Sequence, residues 1–154
     1  GFPLLGTALT WFVYDVVSWG VGSYTSSIFA SSTRAGTIWY MLLINVMATP
    51  GFVLTFWMGV FGRRAFQLVG FLGMALCLAV VGVSFGQAPQ VLLVIVFGLQ
   101  KIFDAAGPGA TTFIIPGEIF PTRVRASCHG ISAAAGKLGA FVGMYNFPSV
   151  EHAL

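Results

Sequence analysis

Charge is what this sequence has least of. Only 7% of its 154 residues are Asp, Glu, Lys or Arg, and only four of those are acidic. A soluble domain carries about 25% charged residues. With 57% hydrophobic residues and a mean hydropathy of +0.92, no soluble fold of this length could hide its apolar side chains, because a domain this small still exposes about a third of its unfolded surface. Cysteine is nearly as scarce. Cys77 and Cys128 make neither a disulfide framework nor a zinc pattern, and Cys77, inside an apolar run, reads as a packing residue. The net charge of +3 rests on seven basic residues, most of them between apolar runs, so it does not argue for nucleic acid. No basic n-region precedes the first run, and the run contains an acid, so it is not expected to be a signal peptide. The sequence offers no nucleophile–base pairing, no metal-ligand cluster and no phosphate-cradling loop, so an enzyme is not indicated. His129 and His152 stand isolated, and His129 is expected near a helix start. With no initiator methionine, the chain is expected to be a piece of a longer protein.

What is there in quantity is apolar sequence, with 20 glycines and 15% aromatic residues. Small residues let helices pack closely in lipid, and rings anchor them at interfaces. A helix needs about 20 apolar residues to cross about 30 Å of hydrocarbon. Five such runs can be read, at about 4–29, 37–61, 66–85, 90–115 and 128–147. Stretches such as Val91-Leu92-Leu93-Val94-Ile95-Val96-Phe97 do not alternate polar with apolar residues, so the strands of an outer-membrane barrel are excluded. The fold class expected is all-α, a polytopic transmembrane helix bundle. The connections are short: a Ser/Thr-rich stretch at 30–36, a basic turn at Gly62-Arg63-Arg64, a polar turn at 86–89, and a longer loop at 116–126. Arg63, Arg64, Arg123 and Arg125 collect on one side and Arg34 on the other, which places loops 62–64 and 116–126 in the cytoplasm.

A charge at the bilayer centre costs at least about 2.5 kcal/mol, so each one there needs a reason. Asp15 lies near the middle of the first run, with Trp11 and Trp19 one helical turn away on the same face. Burial penalises its charged form, which suits a group that takes up and releases a proton; an acid paired to a lysine to hold helices together is the alternative. Lys137, in Gly136-Lys137-Leu138-Gly139, is a candidate contact for an anionic substrate or for Asp15, or a side chain that snorkels to the headgroups. Lys101 and Asp104 are three residues apart and share a helix face. After Asp104, Gly107-Pro108-Gly109 should kink the fourth helix, because Pro removes a backbone donor and Gly weakens the helix. The kink is expected to face a substrate path, or to be a purely structural bend. Glu118 and Arg125, with Arg63 and Arg64, form either a latch that closes the cytoplasmic side or ordinary positive-inside anchoring.

The stretch Gly59-Val60-Phe61-Gly62-Arg63-Arg64 resembles a cytoplasmic signature of the major facilitator superfamily. Pro116-Gly117-Glu118-Ile119-Phe120-Pro121-Thr122-Arg123-Val124-Arg125 resembles a segment of its sugar-porter-like branch. Within that branch the phosphate:proton symporters of fungi and plants are the nearest resemblance. It is carried by Gly6-Thr7-Ala8-Leu9-Thr10-Trp11-Phe12 leading to Asp15, by Thr111-Thr112-Phe113-Ile114-Ile115-Pro116-Gly117-Glu118, and by His129 through Ala140. The resemblance implies helices seven to eleven of a twelve-helix secondary transporter, completed by an N-terminal half and a twelfth helix. It implies proton-coupled symport of phosphate, with Trp11, Asp15 and Lys137 in the substrate and proton site, a proton as coupling ion and no other cofactor. The sequence departs from the family pattern at Trp19, where the family has a tyrosine, and at Ala105 and Gly109, where the family has asparagines. Asp104 is an added acid beside that position and joins the candidate site. A sugar or other small organic solute, or a transporter-like receptor without net transport, are therefore the alternatives.

Overall fold

The computed structural model describes residues 2–29, 33–84 and 87–151, with side chains left out at 24, 26, 27 and 147–151. His152 and part of the 30–36 and 86–89 connections lie outside the described residues. Among the described residues there is helix and no strand. The helices are α1 (Phe2–Ile28), α2 (Arg34–Val46), α3 (Thr49–Leu54), α4 (Met58–Phe61), α5 (Arg63–Ser84), α6 (Gln90–Ala106), α7 (Pro108–Ile119) and α8 (Arg125–Glu151), with a 3₁₀ turn at Thr55–Trp57 between α3 and α4.

Among the described residues, four helical stretches are long and apolar enough to cross a membrane: Phe2–Ser23, Arg34–Phe61, Arg63–Ser84 and Gln90–Ile119. α8 has the length, at 27 residues, but is not among the four. Its serines, its small residues and the polar His129 and Lys137 dilute it. Large apolar side chains such as Leu72, Leu76 and Val83 stand exposed along α5, as lipid-facing surface requires when the solvent is itself apolar.

The run at 37–61 is one continuous expectation in the sequence but several pieces in the structure. The Thr33 hydroxyl caps the start of α2 by accepting from the Gly36 amide at 3.2 Å. Pro50 in the first turn of α3 cannot supply a backbone donor, so the helix restarts there. The basic turn expected at 62–64 shrinks to a single residue. Gly62 adopts φ +91°, a conformation other residues avoid, and Arg63 and Arg64 already belong to α5. The expected loop at 116–126 also shortens, because α7 continues through Pro116 to Ile119. The kink after Asp104 is present: α6 ends at Ala106, Gly107 has φ −101° and ψ −109°, and α7 begins at Pro108.

The chain divides into two compact units, 1–28 with 112–154, and 29–111. In the first, α1 packs along α8. In the second, α6 is the centre, packed by α2, α3 and α5. Most of the buried side chains of that unit lie on α6, among them Phe97, Gln100 and Asp104. The glycines of α5 make this possible. A Cβ on Gly70 would meet the Cα of Gly107 at 2.6 Å, and one on Gly73 would run into the Phe103 ring. The break at Gly107–Pro108 is therefore seated on α5.

Candidate functional site

The contact between α1 and α8 is made by residues without bulk. A Cβ on Gly139 would run into the Phe12 carbonyl oxygen, and one on Gly143 into that of Val16. At one end the Thr7 and Ser132 hydroxyls lie 2.8 Å apart, both buried. Ser132 also donates to the Cys128 carbonyl at 2.9 Å. In the middle sits Asp15, 3% exposed. A Cβ on Gly136 would stand 3.0 Å from Asp15 Oδ2 and 2.7 Å from Trp11 Nε1. Gly136 thus leaves the room in which the carboxylate and the indole N–H face α8.

Trp19, one turn beyond Asp15, is 47% exposed. The Lys137 Nζ lies 5.4 Å from the centroid of its ring. A cation over an indole at an exposed position is worth about 0.5–1 kcal/mol. Four of the expected site residues, Trp11, Asp15, Trp19 and Lys137, are thus gathered on one helix pair. They form a buried acid between two indoles, with a cation one helical step from Gly136.

The fifth, Asp104, belongs to the other unit. It is buried, and Lys101 Nζ lies 3.5 Å from its Oδ2, so the pair expected from their spacing is formed. Gln100, one turn before Asp104, is 1% exposed; the sequence reading passed over it, because a lone glutamine carries no pattern. The expected latch residues are divided as well. Arg63 and Arg64 open α5 in one unit. Glu118 near the end of α7 and Arg125 at the head of α8 belong to the other. Arg125 Nε donates to the Phe120 carbonyl at 3.0 Å.

His129 lies near the start of α8, as expected, and packs into an aromatic cluster. Its ring meets Trp11 edge-on at 5.4 Å and Phe113 at 4.9 Å, and Trp11 and Phe113 meet at 5.8 Å. Its Nε2 lies 3.3 Å from the Phe113 carbonyl oxygen. The signal that could have found it is spacing: His129 precedes Gly136 by seven residues, two turns along the same face of α8. A face that takes Trp11 against Gly136 takes the same indole against His129.

The family model described as sugar (and other) transporter matches residues 9–154. The chain belongs to this family, a part of the major facilitator superfamily. Within the sugar transporter family it is similar to proteins named as phosphate carriers. It is 36% identical to inorganic phosphate transporter 1-4 of Arabidopsis thaliana over 96% of this chain and 31% of that protein. It is 36% identical to the repressible high-affinity phosphate permease of Neurospora crassa over 91% of this chain and 27% of that protein. An inorganic phosphate transporter of Saccharomyces cerevisiae is 35% identical over 92% of this chain and 26% of its own length. The chain spans less than a third of the length of these three relatives. As a sugar transporter family member with several apolar helices, it is a multi-pass membrane protein.

Proposed function

We propose that this chain is part of a proton-coupled symporter of inorganic phosphate in the plasma membrane, and we assign it no catalytic chemistry. The observation that carries this reading is Asp15. It is buried at a helix–helix contact beside an indole N–H, with Lys137 on the facing helix, and intramembrane acids are functional by default. With Asp15 protonated, the Lys137 cation is left to attract an oxyanion. With Asp15 ionised, the carboxylate repels the oxyanion. One proton thus sets whether the site holds phosphate, which is the requirement for coupling. The names of the relatives support phosphate as the solute.

Asp104 does not weigh against an anion, because Lys101 answers its charge at 3.5 Å. A sugar or other small organic solute remains the second reading, because Ala105 and Gly109 stand where the phosphate-symporter pattern has asparagines. On the proposed topology the loop at Gly62 and the 120–124 link face the cytoplasm. There Arg63, Arg64, Glu118 and Arg125 are proposed to stabilise one conformation of the alternating-access cycle.

The test is uptake of radiolabelled phosphate by the full-length transporter in proteoliposomes, with and without an inward proton gradient. Accumulation should follow the gradient and resist competition by glucose. Uptake that ignores the gradient, or that is unchanged in Asp15→Asn, rejects the proton role. Absence of phosphate uptake under the gradient, with uptake of labelled glucose instead, rejects phosphate as the solute.

A further inference from the structure

Beside the α1–α8 site, the unit that contains it holds a second feature with the chemistry of an anion site. Between the end of α7 and the start of α8 lies an open cleft of about 560 Å³, lined by Gly117, Thr122, Arg125, Ala126, His129 and Gly130. None of the six is acidic. Arg125 and His129 are one helical turn apart and face the same space. The Nε of Arg125 is tied to the Phe120 carbonyl. This fixes one edge of the guanidinium and leaves the donors of its terminal nitrogens, which form a planar fork suited to an oxyanion. Thr122 adds a hydroxyl. A Cβ on Gly117 or on Gly130 would meet nothing within 4 Å, so the space in front of both backbones is open to a ligand. The positive end of the α8 dipole lies at the same cleft and adds to the attraction.

We infer that this cleft binds a phosphate oxyanion, separately from the Asp15 site, through Arg125, His129 and Thr122. The inference rests on the phosphate reading above for its role, and that role follows from the difference between the two places. Around Asp15 the ionised carboxylate repels phosphate. In the cleft no lining residue does, so phosphate can rest there whatever the protonation of Asp15. The two places touch through one ring pair, His129 against Trp11 at 5.4 Å. On the proposed topology the cleft opens to the cytoplasm, which makes it a waiting position on the way out of the transporter.

The test is equilibrium binding of radiolabelled inorganic phosphate to the full-length transporter in detergent. Two binding components are expected. Arg125→Gln and, independently, Thr122→Val should weaken one of them, Arg125→Gln by about tenfold or more, since a charge-assisted fork is among the stronger hydrogen bonds. Arg125→Lys should restore part of it. Lys137→Gln should weaken the other component alone. If only the Lys137-sensitive component exists, the cleft site is overturned and the phosphate reading stands. If only the Arg125-sensitive component exists, the cleft stands and the Asp15 region loses its assignment to phosphate. If neither exists, both fall. Repeating the measurement in nanodiscs with and without phosphatidic acid separates the sources of phosphate. Persistence of the Arg125-sensitive component assigns the cleft to the free ion. Its displacement by the lipid assigns the cleft to a headgroup and overturns the waiting role.

Discussion

The two buried acids among the described residues are handled in opposite ways. Asp104 meets a lysine of its own helix, three residues back, at 3.5 Å. Asp15 has no basic residue within a helical turn on α1. It lies where α1 presses against α8, among Trp11, Gly136 and the helix that carries Lys137. An acid neutralised inside its own helix keeps its partner through any rearrangement of helices. An acid placed at a contact between helices changes its surroundings whenever that contact moves. The first arrangement suits a structural charge and the second a charge that works in a transport cycle.

Breaking this comparison starts with the acids. In full-length protein, Asp15→Asn should lower gradient-driven phosphate uptake by about a hundredfold, the lower range for a positioned proton-transferring group. Asp104→Asn should leave uptake within a few-fold of wild type. Proteoliposome uptake under an inward proton gradient measures both. A larger loss at Asp104 than at Asp15 would invert the assignment.

Individual glycines also differ in what they face. In the α1–α8 contact Gly136 faces the Trp11 and Asp15 side chains, whereas Gly139 meets the Phe12 carbonyl and Gly143 that of Val16. Gly98 of α6 faces the flexible end of Met47, and Gly73 of α5 faces the Phe103 ring. A main chain held by its own helical hydrogen bonds cannot step aside, whereas a thioether can. Gly139→Ala should therefore destabilise the protein by about 2 kcal/mol, within the range of overpacking. Gly98→Ala should cost about half of that or less. Thermal unfolding in detergent, followed by size-exclusion fluorescence, reads the order directly, and equal losses would remove the distinction.

The Lys101–Asp104 pair gives a smaller effect. Lys101→Met leaves a part-buried carboxylate without its cation. The cost should be about 1.5 kcal/mol, less than for a fully buried pair because the lysine side chain keeps 21% of its exposure. Replacing both residues, as Lys101→Met with Asp104→Leu, should recover most of the loss, since apolar substitutes for an ion pair are often neutral. A double variant less stable than the single one would show that the pair does more than neutralise.

Much of the architecture is legible in the sequence, and the reason is lipid. Apolar runs must become helices because no water satisfies the backbone, so α1, α5 and α8 arise close to where the runs begin and end. The break at Gly107–Pro108 was legible for the same local reason, a missing donor beside a weak helix residue. What it packs against was not, since nothing local to residue 107 names Gly70 as its partner. The same limit explains His129. It opens the 129–140 stretch, but its ring neighbours are set only when α8 lies on α1 and brings the ring to Trp11. Asp15 and Lys137 were recognisable because a charge in lipid is conspicuous by itself. That Lys137 settles on Trp19 depends on helix register, which spacing along one helix cannot supply.

The smallest effect concerns the hydroxyl pair at one end of the α1–α8 contact. Thr7 and Ser132 lie 2.8 Å apart and are buried, yet each also has a backbone carbonyl within reach on its own helix. Ser132 donates to Cys128, and Thr7 has the Pro3 and Leu4 carbonyls at 3.2 and 3.1 Å. Neither hydroxyl is stranded when the other is removed. Interhelical hydrogen bonds in membranes average about 0.6 kcal/mol in double-mutant cycles, because alternative partners are at hand. A cycle of Thr7→Val, Ser132→Ala and the double variant should return a coupling of about that size. A value well above about 1.7 kcal/mol, the upper range for such pairs, would mean that the hydroxyls close the contact themselves. The glycines would then no longer be what sets the distance between α1 and α8.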